Sequence, residues 1–119
     1  MLLLPTFNYV GFFYGGDNVE NSTYRISIER KAAKYVDDVA PIELQDIIKD
    51  SIRALACNPN RQGHGLKGKL KEYRAVDNIK YKGVDYRIVY KVEKQQKMVK
   101  VMNIGSHEEY NKWLRMGFE

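Results

Sequence analysis

Three side chains in the C-terminal half of the chain are suited to anion binding and proton transfer. Arg87 carries a planar guanidinium that can hold two phosphoryl oxygens at once. His107 carries an imidazole, which titrates near neutrality, and Tyr110 can donate a proton or stack on a base. Each also has an ordinary structural interpretation: a solvated strand residue for Arg87, a backbone-bonded loop residue for His107, and a core contact near Trp113 for Tyr110.

A Gly- and Lys-rich loop over residues 60–69 precedes these residues. Three lysines that follow Gly63-His64-Gly65, namely Lys67, Lys69 and Lys71, suit the positioning of phosphates, although such contacts carry no base specificity. His64 is bracketed by glycines in the same loop. It is either a second acid or base or, as the commoner explanation, a mobile loop residue.

Three further cations, Arg74, Lys80 and Lys82, lie on or beside a predicted strand. Side chains alternate between the two faces of a strand. A slip of one residue within residues 74–78 would therefore exchange the faces and put Arg74 in the site in place of the lysines. A solvated strand face is the commoner explanation for each of the three cations.

Positive charge is concentrated in the second half of the chain. Residues 1–60 contain six Lys and Arg against eight Asp and Glu, a net charge of −2, whereas residues 61–119 contain fourteen against seven, a net +7. Such a half suits a polyanionic partner such as RNA, DNA or an acidic protein, because neutralising phosphates releases counterions. A merely soluble basic surface is the alternative.

At 119 residues, the chain has the length of one domain with a modest core, which excludes a large multi-domain enzyme. Cys57 is the only cysteine, so no intramolecular disulfide can form and a cytoplasmic location is expected. The sequence has no set of Asp, Glu and His with metal-ligand spacing. This absence agrees with a protein that uses neither a metal nor another cofactor.

The first 22 residues differ in composition from the rest. Met1–Tyr14 is apolar and aromatic, lacks a basic leader and is too short to span a membrane, so neither a signal peptide nor a membrane segment is expected. We interpret residues 1–22 as an N-terminal extension and residues 23–119 as the domain. The extension is either an arm that covers an apolar patch or the product of an upstream start codon.

The domain alternates between strand and helix patterns. Two adjacent amphipathic helices, separated at Pro41, should pack as an antiparallel hairpin on a sheet. The sequence predicts an α+β fold of order β-α-α-β-β-β, a small twisted antiparallel sheet with this helical hairpin on one face. The predicted elements are a strand over Tyr24–Ile28, helices over Glu29–Ala40 and from Pro41 to Asn58-Pro59, and strands over roughly Tyr73–Lys82, Asp85–Glu93 and Lys97–Ile104.

Four short segments share their order and spacing with one protein family. They are Asn58-Pro59, Leu66-Lys67-Gly68-Lys69-Leu70, Tyr86-Arg87-Ile88-Val89-Tyr90 and Ile104-Gly105-Ser106-His107, with Tyr110 after the last. As a set they resemble the RelE/ParE superfamily of toxins from type II toxin–antitoxin pairs, over Tyr24 to about Trp113. The ending from Gly105 to Tyr110 looks closer to the HigB-like branch.

The resemblance implies an mRNA interferase, an endoribonuclease that cleaves mRNA on the ribosome without a metal, using the substrate's own 2′-hydroxyl. It makes Arg87 the phosphate-binding residue, His107 and Tyr110 candidates for proton transfer, and brings Lys80 near a family lysine position. The familiar RelE arrangement has an arginine where His107 stands. The expected RNA-binding residues are Lys67, Lys69, Arg74 and Lys82.

Two other functions stay open within the same resemblance. One is a ParE-like inhibitor of DNA gyrase, and the other is a degenerate toxin kept only to bind its antitoxin. In all cases the expected partner is a cognate antitoxin, which could wrap the helical hairpin, extend a sheet edge or cover the basic face. Retention of Arg87, His107 and Tyr110 together favours the nuclease.

Overall fold

The computed structural model describes residues 24–117. The predicted N-terminal extension, residues 1–22, lies outside the described residues. None of the helices in the described part is long and apolar enough to cross a membrane.

The first half of the domain is a strand followed by a helical hairpin, as predicted. Strand β1 spans Arg25–Ile28. Helix α1 spans Arg30–Lys34 and continues as one π-helical turn over Tyr35–Val39, which ends where Ala40 turns extended before Pro41. Helix α2 then runs over Ile42–Cys57. It ends at Asn58, because Pro59 cannot continue a helix.

The second half supplies most of the sheet. Strands β3 and β4 are joined by the two-residue turn Lys82-Gly83, in which both residues have positive φ, as a tight hairpin requires. After β5 the chain forms a third helix, which was not expected from the sequence. The elements are β2 (His64–Gly65), a 3-10 turn (Gly68–Leu70), β3 (Arg74–Tyr81), β4 (Val84–Glu93), β5 (Met98–Ser106) and α3 (His107–Arg115).

The five strands form one sheet in the order β1-β5-β4-β3-β2. The predicted α+β class and the packing of the helical hairpin on one face are confirmed. The sheet is mixed, however, rather than wholly antiparallel. Strand β1 pairs with β5 in parallel, with Arg25 opposite Met98 and Ile28 opposite Val101. The helical hairpin forms the crossover after β1, and such crossovers permit parallel pairing.

The main core lies between the sheet and the helical hairpin. On β4, Ile88 and Tyr90 point toward the helices and have no exposed surface. The facing apolar stripe of α2 recurs at three- and four-residue steps, as its sequence pattern predicted. That stripe consists of Leu44, Ile48, Ile52, Leu55 and Ala56.

A second, smaller core lies on the opposite face of the sheet. Val89, from the same central strand, packs there under Tyr110 and Trp113 of α3. Apolar residues from the loop before β3 complete this cluster. They are Leu66, Leu70 and Tyr73, with Met102 and Leu114 beside them. Helix α3 thus covers part of the face opposite the helical hairpin, and the uncovered remainder of that face is called the open face below.

The first turn of α3 lies directly on β5 at Gly105. This glycine has φ +152°, and a Cβ there would collide with Cβ and Cγ of Glu109. Gly105 is also the cross-strand partner of Arg87. The absence of a side chain at residue 105 therefore lets α3 approach the sheet beside Arg87.

We expect Gly105→Ala to destabilise the fold by about 1–3 kcal/mol, because it adds backbone strain and pushes the α3 turn off the sheet. Chemical denaturation followed by circular dichroism measures the change. The matched control is Gly65→Ala, since a Cβ at residue 65 makes only an ordinary contact with Arg74, at 3.8 Å. Equal stability of the Gly105 variant and the parent would contradict this account.

Candidate active site

Arg87 lies on the open face of the central strand, beside the edge of α3. Its guanidinium carbon sits 4.3 Å from the centre of the Tyr110 ring, in cation–π contact. The side chain is 25% exposed, so solvent or a ligand still reaches it. Gly105, its cross-strand partner, lets the first turn of α3, which carries Tyr110, come close to the guanidinium. Arg87 is therefore held by an aromatic face and open on another side.

Asp77 is the acidic partner of Arg87, and it was not among the site residues expected from the sequence. Its Oδ2 atom lies 3.6 Å from Nη2 of Arg87 and 2.9 Å from Nε2 of His64. The hydrogen bond from His64 holds the pKa of Asp77 below its usual value, and the charges of His64 and Arg87 act in the same direction, whereas partial burial opposes them. Asp77 is thus an ionised carboxylate shared between a histidine and an arginine.

Asp77 lies on the open face because it follows the helix-facing Val76 on β3, and a strand irregularity comes directly after it. The pairing of β3 with β4 shifts between Val76 and Ile79, both of which pack toward the helical hairpin. The two intervening residues, Asp77 and Asn78, are the poorest strand formers in this run, and that local weakness is the signal that marks the bulge.

The glycine-bracketed His64 belongs to the site. It lies in the two-residue strand β2, opposite Ala75. Its Nε2 contacts Asp77, and its Nδ1 lies 3.3 Å from the carbonyl oxygen of Gly65. The interpretation of His64 as a mobile loop residue was the commoner one from sequence, but the ring is paired with Asp77.

His107 and Tyr110 come together in the first turn of α3. Their ring centres are 6.4 Å apart, and His107 is exposed. Tyr110 is 9% exposed and lies between Arg87 on one side and Trp113 on the other, 6.1 Å away. Tyr110 therefore contacts both the site and the core, the two alternatives that the sequence left open.

The strand cations are less closely grouped. Lys80 lies opposite Asp85, with its Nζ 2.9 Å from Asp85 Oδ1, toward the turn end of the β3–β4 hairpin. Lys82 lies in the turn itself, 5.6 Å from the Tyr81 ring. Arg74 points to the other side of the sheet, because it is paired with the buried Tyr90. Of the two registers considered from sequence, the structure has the one that keeps Arg74 off the open face.

The loop lysines lie on a segment whose apolar residues, Leu66 and Leu70, pack in the smaller core under α3. Lys67, Lys69 and Lys71 are exposed on the segment that follows β2. Within residues 24–117, no three His, Cys, Asp or Glu side chains are grouped so that they could hold a metal ion. The grouped side chains are His64, Asp77, Arg87, His107 and Tyr110.

Solved RelE structures share this fold. A mutant Escherichia coli toxin RelE in the free state has a TM-score of 0.60 and 19% identity, with 80% of this chain and 98% of that chain covered. The Mycobacterium tuberculosis toxin–antitoxin complex RelBE2 gives 0.58 and 17%, with 74% and 95% covered. The intact Escherichia coli RelBE complex gives 0.57 and 20%, with 70% and 95% covered. At these identities the likeness establishes the fold.

The sequence itself establishes the family. A comparison with curated protein sequences returns no match. The family model described as the ParE-like toxin of type II bacterial toxin–antitoxin systems matches residues 26–115, which include every described strand and helix of the chain except the first residue of β1. The chain therefore belongs to the ParE-like toxins of type II bacterial toxin–antitoxin systems.

Proposed function

We propose that this toxin is an mRNA interferase, an endoribonuclease that cleaves mRNA on the ribosome. The observation that carries the proposal is the carboxylate of Asp77, which contacts both His64 and Arg87 on the open face, with Tyr110 against the other side of the guanidinium. An arginine, two histidines and a tyrosine around one exposed surface suit acid–base cleavage of a phosphodiester.

The proposed reaction is an internal transfer. The 2′-oxygen of one nucleotide attacks the adjacent phosphorus, and the bond from phosphorus to the 5′-oxygen breaks. The products are a 2′,3′-cyclic phosphate and a 5′-hydroxyl. One group must take the 2′ proton and another must give a proton to the leaving 5′-oxygen, while positive charge stabilises the pentacoordinate phosphorane.

Arg87 supplies that positive charge. Its ion pair with Asp77 is loose, at 3.6 Å, so a phosphate can replace the carboxylate as the partner of the guanidinium. Tyr110 limits the motion of the guanidinium by stacking on it. Lys80 lies on the same face of the hairpin, and it could contribute positive charge to a bound phosphate by exchanging its partner Asp85 for that phosphate.

The two histidines divide the proton transfers. Both ring nitrogens of His64 lie near oxygen atoms, Nε2 near the Asp77 carboxylate and Nδ1 near the Gly65 carbonyl. Because the ionised Asp77 accepts the hydrogen bond, Nε2 is the nitrogen that carries a proton, and His64 is assigned to give a proton to the 5′-oxygen. The exposed His107, on the α3 side of Arg87, is assigned to accept the 2′ proton.

The expected partner is a cognate antitoxin. Two of the similar solved structures are complexes of a RelE-type toxin with its antitoxin. The helical hairpin offers a suitable surface, because Val39 and Ile42 are 64% and 71% exposed where its two helices meet. An amphipathic antitoxin segment would bury this patch. Because the proposed substrate is mRNA on the ribosome, we expect the reaction to take place in the cytoplasm.

Arg87→Ala should abolish toxicity while leaving the fold and antitoxin binding nearly intact. Loss of a preorganised charge at the phosphorane lowers cleavage on the order of a hundred- to thousand-fold. Arg87→Lys should also be severely impaired, because an ammonium lacks the bidentate geometry. The measurement is growth after induction without antitoxin, with mapping of new mRNA 5′ ends.

The matched control for these variants is Arg25→Ala, which removes an exposed arginine from the edge strand β1 and should leave growth arrest unchanged. Growth arrest by the parent without new mRNA ends, retained in the Arg87 variants, would overturn the nuclease. That outcome would favour the gyrase-inhibitor alternative.

RNA affinity should depend steeply on salt, since phosphate contacts from the basic half dominate the attraction. Replacing Lys67 and Lys69 with Gln should lower the slope of log affinity against log salt by about 0.7 for each phosphate that is no longer neutralised. Fluorescence anisotropy with a labelled single-stranded RNA measures this. The control pair Lys34→Gln and Lys49→Gln, on the helical hairpin, should leave the slope unchanged. An identical slope in both pairs would refute a phosphate interface at the loop.

A further inference from the structure

Residues 58–63, here called the bracing loop, join the end of α2 to His64 and are fastened from the helix side of the sheet. The Tyr90 hydroxyl lies 2.8 Å from the carbonyl oxygen of Pro59 and 2.6 Å from that of Gln62, and it can donate to either. Tyr90 and Pro59 are both fully buried. The loop therefore has a fixed anchor on the central strand.

Arg74 closes the same network. Its Nε donates to the Tyr90 hydroxyl at 3.1 Å. Its Nη2 lies within hydrogen-bonding distance of three loop carbonyl oxygens, those of Asn60 at 3.1 Å, Gln62 at 3.1 Å and Gly63 at 3.2 Å. A planar guanidinium with several donors is the side chain that can span such a set.

The bracing loop delivers His64 to the other face. Gly63 has φ +61°, and a Cβ there would collide with the carbonyl oxygen of Ala75, so the loop passes closely over β3 at this point. The next residue is His64, which pairs with Ala75 and reaches Asp77. Strand β2 has only two residues, and a ladder this short cannot by itself fix the imidazole.

We propose that Arg74 and Tyr90 are positioning residues of this toxin, which hold the bracing loop so that the His64 imidazole stays against Asp77. The inference rests on the ribonuclease function proposed above and assigns Arg74 to the scaffold of the site rather than to RNA. Tyr90 has no exposed surface, so it cannot contact a substrate. Burial raises the pKa of the Tyr90 hydroxyl, which keeps it a donor, although the contact with Arg74 partly opposes this shift.

Two variants remove different parts of the brace. Tyr90→Phe keeps the buried ring and deletes only the hydroxyl. Arg74→Met keeps much of the side-chain length and deletes all four hydrogen bonds. The control is Arg61→Met, an exposed arginine of the same loop. Thermal melting of each purified variant shows whether it is still folded.

The first readout is the pKa of the Asp77 carboxyl, followed by carbon NMR as pH is lowered. Because the His64 hydrogen bond is the main cause of the lowered pKa, loosening the loop should raise it. Both brace variants should move the pKa of Asp77 upward, toward its value in His64→Ala. Arg61→Met should leave it at the parent value.

The second readout is steady-state cleavage of mRNA bound to ribosomes. A misplaced proton donor should lower kcat on the order of ten- to a hundred-fold and leave KM and its salt dependence unchanged. If Arg74→Met instead weakens RNA binding and lowers the salt slope by about 0.7, with Tyr90→Phe unaffected, Arg74 contacts phosphate and the proposal is wrong.

The two proposals fail separately. A parent chain that cleaves no mRNA on ribosomes overturns the nuclease, while the pKa of Asp77 still tests the brace. Folded brace variants in which the pKa of Asp77 equals that of the parent refute the positioning role even if cleavage is intact. Should Arg74→Met fail to fold, Tyr90→Phe and the milder Arg74→Lys decide the same question, because a single ammonium cannot replace Nε and Nη2 and contact the Tyr90 hydroxyl and the loop carbonyls together.

Discussion

Strand β4 is buried on both faces, and the other elements take their places from that constraint. Ile88 and Tyr90 require the helical hairpin on one side, and Val89 requires α3 and the loop before β3 on the other. All three have no exposed surface. A strand that is buried on both faces must be packed against a different element on each face. Arg87 lies on β4 at the edge of α3, where the second face becomes exposed.

Two local irregularities, a bulge on β3 and a glycine on β5, shape the candidate site. Strict alternation after Val76 puts Asp77 on the open face but would also put Ile79 there, and the pairing shift between Val76 and Ile79 returns Ile79 to the helix side. At Gly105, the missing side chain lets the first turn of α3 approach the sheet. Bulges and glycines commonly redirect side chains next to functional sites, because they free the chain locally without disturbing the ladder on either side.

Arg74 and Arg87 lie on neighbouring strands but on opposite faces of the sheet, and the face determines what each side chain contacts. Arg87 lies against an aromatic ring and a carboxylate and remains partly exposed. Arg74 is turned to the opposite face, where a buried hydroxyl and backbone carbonyls accept hydrogen bonds from Nε and Nη2 of its guanidinium. The first environment leaves a charge able to exchange partners with a phosphate, whereas the second uses the same group to fix a loop. Net positive charge therefore overstates the number of cations available to a polyanion.

Periodicity determined much of the fold. Local patterns of apolar residues, proline and turn residues predicted the helical hairpin and the three-strand meander. They also predicted the break at Pro41 and the end of α2 at Asn58-Pro59. The family segments and the grouping of Arg87 with Tyr110 were likewise accessible from sequence.

Tertiary structure alone decided which residues share a face across the irregular β3 pairing. It brought Asp77 and His64, thirteen residues apart, into contact and turned Arg74 away from the open face. It also made β1 pair in parallel with β5 and folded the chain after Gly105 into α3. These outcomes depend on register and on non-local packing. A slip of one residue reverses every side chain on a strand, and local sequence carries only a weak signal of where such a slip occurs.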